Sequence, residues 1–376
     1  MTLPSDAVLP RYGGGSIADL MPSALGALGV PGEDDLIGLP ACRSLCVLLV
    51  DGLGRNLVQA HPSHAPFLTS LLRPGRDLTA GIPSTTATSL ASLGTGLVPG
   101  RHGLVGYTSR LPGTDRLLNA LRWDEHVDPV DYQPHPTVLE RGARAGVQVT
   151  VVGQRRFRSS GLTRAGLRGG SFVGADTLGE RVAAAAAAAS AGPRSLVYAY
   201  DGDLDLTGHR VGCGSAAWRH QLAMVDRFAE ELYDALPLGC VLVVTGDHGM
   251  VDVPPDGRVD VDDVPALREG VLVVGGEARL RHLYVRDGAG PDVVAAWRST
   301  LGPRASVVDR ADAVGAGWFG AVEARVAERL GDVVVACHGD LAVEVRSVFP
   351  VEATLVGLHG SVSEDEMVVP LLVAEA

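Results

Sequence analysis

Three apolar runs of strand length in this chain are each followed at once by acidic residues, and no other feature constrains the fold as much. They are LCVLLV (45–50), followed by Asp51; SLVYAY (195–200), followed by DGDLDLTGH with Asp201, Asp203, Asp205 and His209; and CVLVVT (240–245), followed by Gly246, Asp247 and His248. A fourth run, VQVTVV (147–152), is closed by glycine. Being apolar throughout rather than alternating, these runs suit strands covered on both faces. Helical patterns lie between them, such as the alanine run 183–189, introduced by Thr177 and Glu180 in capping-box spacing. The alternation predicts an α/β fold with a doubly wound, largely parallel sheet covered by helices on both faces. In such a sheet ligands bind beyond the carboxyl ends of the strands. The acids therefore converge on one edge, where they repel one another unless something positive holds them together.

Divalent metals answer that requirement. Asp oxygen and His nitrogen donors without Cys thiolates suit Zn²⁺ and also admit Mn²⁺ or Fe²⁺, and they point to a catalytic site with open positions rather than a structural Cys-type zinc site. The five cysteines, at 42, 46, 213, 240 and 337, form no CxxC pair and are expected as reduced core residues. A net charge of −12 argues against a nucleic-acid polymer as partner, yet permits a small phosphate-bearing substrate where bound metal reverses the local field. With 376 residues at 46% hydrophobic content, the chain can bury a large core. The N-terminal MTLPSDAVLPRYGGGS lacks a basic segment followed by an apolar one, and no apolar run is long enough to span a bilayer. A cytoplasmic protein without membrane association is expected; the sequence assigns no oligomeric state.

After residue 252 the character changes. PPDGRVDVDDVP is turn-rich and acidic, and shorter strand candidates follow near 270–274, 281–285, 332–336 and 341–345. The expected organisation is a core of residues 1–254 and 346–376 interrupted by a small α/β cap over 255–345. A separate stretch, GIPSTTATSLASLGTGLVPGRHGLVGYT (81–108), is dense in hydroxyls. A Thr at a helix start beside paired metals can act as nucleophile, because a metal lowers the hydroxyl pKa. Trp123 is expected to pack rather than to stack on a base and His102 to stabilise its own turn; Arg155, Arg156 and Arg158 could meet an anionic substrate, though a charge run is more usually solvated.

Taken in order, Asp51 after a strand, PSTTATSLASLGTGLVPGRHG, DLDLTGH, TGDHGM and HGSVSEDEMVVPLL follow the pattern of the alkaline phosphatase superfamily. The sequence most resembles its type I phosphodiesterase / nucleotide pyrophosphatase branch, from about residue 45 to 373. The resemblance places the nucleophile nine residues before the Thr of a TG and sixteen before the His of an HG; both spacings select Thr86, with Thr85 the competitor. It implies one metal held by Asp205, His209 and His359, and another by Asp51, Asp247 and His248 with Thr86 oxygen. It implies hydrolysis of phosphodiester or pyrophosphate bonds in nucleotide-type small molecules, through a covalent threonine–phosphate intermediate and two divalent ions, most simply Zn²⁺. Phosphomonoester or phosphonate hydrolysis is the alternative within the superfamily, and a noncatalytic metal-binding protein the rival outside it.

The branch commonly carries an Asn three residues after its nucleophile. Here that place is Ser89, expected as a shorter donor to a phosphate oxygen. The C/S-x-P-x-R pattern of the sulfatases is absent around Thr86, and only about a hundred residues separate Thr86 from Asp205, too few for the inserted domain of the phosphoglycerate mutases.

Overall fold

The structure is a computed structural model that describes residues 3–4 and 7–376. Its centre is a six-stranded sheet of β1 (Ser44–Val50), β2 (Gln148–Gly153), β3 (Ser171–Gly174), β4 (Ser195–Asp201), β5 (Cys240–Gly246) and β6 (Leu372–Glu375). Their order is β6-β5-β1-β4-β2-β3, with every neighbouring pair parallel except β6 against β5. The order reverses at β1, which lies between β4 and β5 rather than beside β2. That placement makes its carboxyl end the switch point where α/β folds collect ligands.

Strict alternation along β1 explains why the strand has no polar face. Leu45, Val47 and Leu49 enter one apolar cluster with the helix Ile17–Ala27, while Cys46, Leu48 and Val50 enter another with the helix Ala216–Ala235. Each such side chain removed from water contributes roughly 1.5–3 kcal/mol. The register then aligns chemistry as well as packing. Val50 stands level with Asp201 on one side and Gly246 on the other, so Asp51 and Asp247 leave their strands side by side. The alanine run forms the helix Leu178–Ala189, with Thr177 as N-cap and Glu180 closing the capping box.

Residues 255–345 carry a second, four-stranded antiparallel sheet in the order Val271–Glu277, Leu280–Val285, Val333–Cys337, Ala305–Asp309. One face packs on the helix Gly290–Leu301 around the buried Trp297. The other meets the core through Trp318 and Phe319, which share a cluster with Ile82, Val105 and Met367. The segment expected as a strand near 341–345 forms Ala342–Glu344, outside this sheet and paired with Arg258–Asp260. The fourth strand is instead Ala305–Asp309, which the sequence reading did not anticipate. A tight hairpin turn follows Gly276, whose φ of 81° and closeness to the Leu280 carbonyl leave no room for a β-carbon. It sets Glu277 at the strand end, facing the core. The five cysteines are free thiols, four of them buried. Among the described residues no helix is long and apolar enough to cross a membrane.

Candidate active site

The carboxyl edge of the central sheet gathers two groups of potential metal ligands. Asp51, Asp247 and His248 form one; Asp205, His209 and His359 form the other, and within each the donor atoms lie within 4.8 Å of one another. Asp205 and His209 come from one face of the helix Asp203–Val211, four residues apart, with Nε2 to Oδ2 at 3.3 Å. His359 arrives from the far end of the chain, its Nε2 3.9 Å from Asp205 Oδ1. In the other group His248 Nε2 lies 3.4 Å from Asp51 and 3.5 Å from Asp247. The His248 and His359 rings stack at 3.6 Å between centroids, which makes the two groups contiguous.

The histidine tautomers follow from their backbone partners. Nδ1 of His209 faces the Gly357 carbonyl at 2.7 Å, that of His248 the Gly249 carbonyl at 2.9 Å, and that of His359 the Ser84 carbonyl at 2.9 Å. A carbonyl can only accept, so each Nδ1 carries the proton and each Nε2 turns a lone pair into the site. The carboxylates are half-satisfied in a matching way. Asp247 Oδ1 accepts the Gly52 and His248 amides at 3.0 and 3.1 Å, and Asp51 Oδ2 accepts the Tyr200 hydroxyl at 2.5 Å. Asp247 Oδ2 and Asp205 Oδ1 are buried with no hydrogen-bond partner.

Electrostatics agree with the geometry. Burial, and then the neighbouring carboxylates of Asp247 and Asp205, push Asp51 well above the ordinary carboxylate range; burial chiefly raises Asp247 too. Burial, followed by His248 and His209, holds His359 well below its usual value. Orphaned carboxylate oxygens opposite imidazole lone pairs form a donor set that fits divalent cations.

Thr86 is the first residue of the helix Thr86–Thr95, as expected for a nucleophile presented at a helix start. Its Oγ1 lies 3.2 Å from His248 Nε2 and 3.4 Å from Asp51 Oδ1. Thr85, the N-cap residue, instead directs its hydroxyl toward Glu277. The expected role of Ser89 is corrected by the structure. Ser89 is fully buried and its hydroxyl donates to the Asp247 carbonyl at 2.7 Å, so its proton is committed to positioning Asp247 and cannot reach a phosphate oxygen.

A chamber of about 510 Å³ opens above these groups, lined by Asp51, Thr86, Asp205, His209 and His359 among others. Two of its walls escaped the sequence reading. Glu277 reaches in from the second sheet, held by the Tyr107 amide at 3.0 Å, with its other oxygen buried and unpartnered; burial pushes it up to about 8. Tyr200 lies within the run read only as strand, yet its hydroxyl orients Asp51. The remaining expectations resolve individually. Trp123 packs edge-on against Tyr132 and donates to the Val127 carbonyl, so it is structural. His102 accepts the Leu104 amide and pairs with Ser92, stabilising its turn. Asp201 pairs with Arg181 at 3.2 Å and caps the Asp203 amide, outside both groups.

Fold and site together define a hydrolase of the alkaline phosphatase superfamily, whose members depend on metals. More narrowly, residues 45–361 match the family model of type I phosphodiesterase / nucleotide pyrophosphatase, and the chain belongs to that family. No curated protein matches the sequence. Among solved structures, an inactive form of murine ectonucleotide pyrophosphatase / phosphodiesterase 5 in complex with AMP is similar at 17% identity and a TM-score of 0.70, with 88% of this chain and 87% of that one covered. Phosphonoacetate hydrolase from Sinorhizobium meliloti in complex with phosphonoformate is similar at 20% identity and a TM-score of 0.67, covering 90% and 92%.

Proposed function

We propose that this hydrolase cleaves phosphodiester or pyrophosphate bonds in nucleotide-type small molecules through a covalent intermediate on Thr86. The observation that carries the reading is the convergence of the Thr86 hydroxyl on two Asp/His groups whose imidazole lone pairs and orphaned carboxylate oxygens face one another. Asp205, His209 and His359 would hold one divalent ion and Asp51, Asp247 and His248 the other, Zn²⁺ being favoured by the donor set over Mn²⁺ and Fe²⁺. Such ions supply Lewis acidity toward phosphoryl oxygens and lower the pKa of a neighbouring hydroxyl. Thr86 Oγ1 attacks phosphorus in line, forming an O–P bond as the ester oxygen departs with its electron pair. Water then opens the threonine phosphate and restores the hydroxyl, so one difficult displacement becomes two easier ones. Tyr200 keeps Asp51 oriented and Ser89 keeps the Asp247 backbone in place throughout.

We further take residues 255–345 as an inserted cap that contributes Glu277 and Ala278 to the chamber. AMP in the murine relative and phosphonoformate in the bacterial one both present a phosphorus oxyanion, which supports a small phosphate or phosphonate as the substrate class. The second reading, a phosphonate hydrolase, is favoured only by the latter complex.

Thr86→Ala is expected to keep fold and metal while lowering turnover of bis(p-nitrophenyl) phosphate by at least ~10³-fold, whereas Thr85→Ala is much milder. Near-normal rates in Thr86→Ala would falsify the assignment. The nucleophile block 82–95 contains no arginine. A monoester presents a dianionic group that needs extra positive charge at phosphorus. Diesters are therefore expected to show the higher kcat/KM in side-by-side assays of mono- and bis-aryl phosphates, and a strong monoester preference would move the protein to the phosphatase alternative.

A further inference from the structure

The chain contains no lysine, so its fixed positive side chains are all guanidinium groups. Two of them line the chamber, Arg156 and Arg210, and they are the only cationic side chains other than histidine among its described lining residues. Both are exposed, and among the described residues neither side chain takes part in an ion pair or hydrogen bond. Their neighbours differ: Arg155 pairs with Asp176 and Glu180, and Arg158 lies over Phe172 and does not line the chamber.

Both arginines are fastened to the metal-ligand groups by packing. Arg156 lies over the Phe157 ring at 4.7 Å, Phe157 meets Tyr200 edge-on at 5.7 Å, and Tyr200 donates to Asp51. Arg210 follows His209 directly on the helix that carries Asp205, five residues and roughly 7.5 Å of helix axis beyond it. Both arginines line the chamber into which Thr86 opens, yet the Thr86 hydroxyl contacts His248 and Asp51 and neither guanidinium, so the pair is available to a part of the substrate other than the reacting phosphorus.

Resting on the proposed hydrolase reading, we infer that Arg156 and Arg210 form an anion-reading pair that selects substrates bearing a second oxyanion, phosphoryl or carboxyl, beyond the scissile phosphorus. Guanidinium suits this task because its planar fork matches both groups and keeps its charge at any working pH. In a protein of net charge −12 the pair also offers an anionic substrate a local point of attraction.

The test compares three substrates across wild type, Arg156→Gln, Arg210→Gln and the double variant, with metal content measured in each. Phenyl p-nitrophenyl phosphate has no second charge, its 4-carboxyphenyl analogue adds a carboxylate, and ATP adds phosphoryl groups. The double variant is expected to lose tenfold or more in kcat/KM, mainly through KM, on the carboxylate substrate, on ATP or on both, while the uncharged reference stays within about twofold. Which charged substrate suffers identifies the preferred oxyanion. Equal losses on all three substrates, or no loss on either charged one, overturn the pair. Equilibrium binding of adenosine 5′-(α,β-methylene)triphosphate is read in parallel. Failure of the hydrolase reading would show as no turnover of any substrate by wild type, and binding that weakens tenfold in the double variant would uphold the pair even then, whereas unchanged binding would reject it.

Discussion

Two regions of the molecule bury carboxylates, and they treat them in opposite ways. Around the second sheet the buried acids other than Glu277 each have a guanidinium. Arg279 makes a two-pronged pair with Glu366 at 3.0 and 2.7 Å, both side chains fully buried; Arg258 meets Glu344 at 2.6 Å; and Arg281 meets Glu352. At the carboxyl edge of the central sheet Asp51, Asp247 and Asp205 lie close together, yet among the described residues none of them forms an ion pair with an arginine, and two of their oxygens have no partner. The first arrangement is electrostatically complete as the chain folds. The second is complete only when cations arrive, so unpaired burial of charge separates a site from a scaffold here.

The largest effect expected from breaking this contrast falls on the scaffold. Glu366→Ala leaves Arg279 buried and uncompensated and is expected to cost about 3–5 kcal/mol in chemical denaturation, by the same amount with and without added metal. A metal-dependent cost would place Glu366 in the site rather than the frame. Asp247→Asn reverses the logic. Removing one of three mutually repelling acids is expected to raise the melting temperature of chelator-treated protein, while forfeiting the stabilisation of about 3 kcal/mol that metal at a hundredfold its Kd gives wild type. If the metal-free variant melts lower than metal-free wild type, the Asp247 carboxylate is a structural acceptor and the comparison collapses.

The same contrast explains what could be read without a structure. The strands 44–50, 148–153, 195–201 and 240–246 were anticipated to within a residue because burial on both faces leaves a continuous apolar run. The edge strand Ser171–Gly174 is half exposed and reads as loop, and Ala305–Asp309 carries too short an apolar run to stand out. Asp51, Asp247 and His248 were legible because they stand immediately after strand ends, whereas Asp205, His209 and His359 were singled out through the motifs of the family resemblance. Ser89 was misread because spacing reports that a hydroxyl is near Thr86 but not which way it points; the Asp247 carbonyl decides that, and it lies 158 positions away. Glu277 had no local signal, since a glycine-led hairpin on the second sheet aims it at a chamber built by other segments. Arg156 was visible as charge, and what distinguishes it from Arg155, which pairs with Asp176 and Glu180, is its place on Phe157 in the chamber wall.

A third treatment of buried ionisable groups sharpens the comparison with a smaller effect. His102 is fully buried and satisfied without any charge: its Nδ1 accepts the Leu104 amide at 3.1 Å, so Nε2 carries the proton and donates to Ser92 Oγ at 2.9 Å. Burial, then the nearby Arg325 and Arg329, push it down to about 3. The folded state therefore prefers neutral His102, while the unfolded chain protonates near the ordinary value of about 6.5. Between those values the unfolded state binds more protons, so this contribution is full above pH 6.5 and is lost as pH falls toward 3, amounting to about 2 kcal/mol at pH 5. His102→Gln is expected to lower stability at pH 7, where it disturbs the turn, but to flatten the decline between pH 7 and pH 5 by about that amount. Denaturation at the two pH values measures the difference directly. An unchanged slope would mean that His102 is not the buried neutral group that the Ser92 and Leu104 contacts describe, and that the acid sensitivity of the fold arises elsewhere.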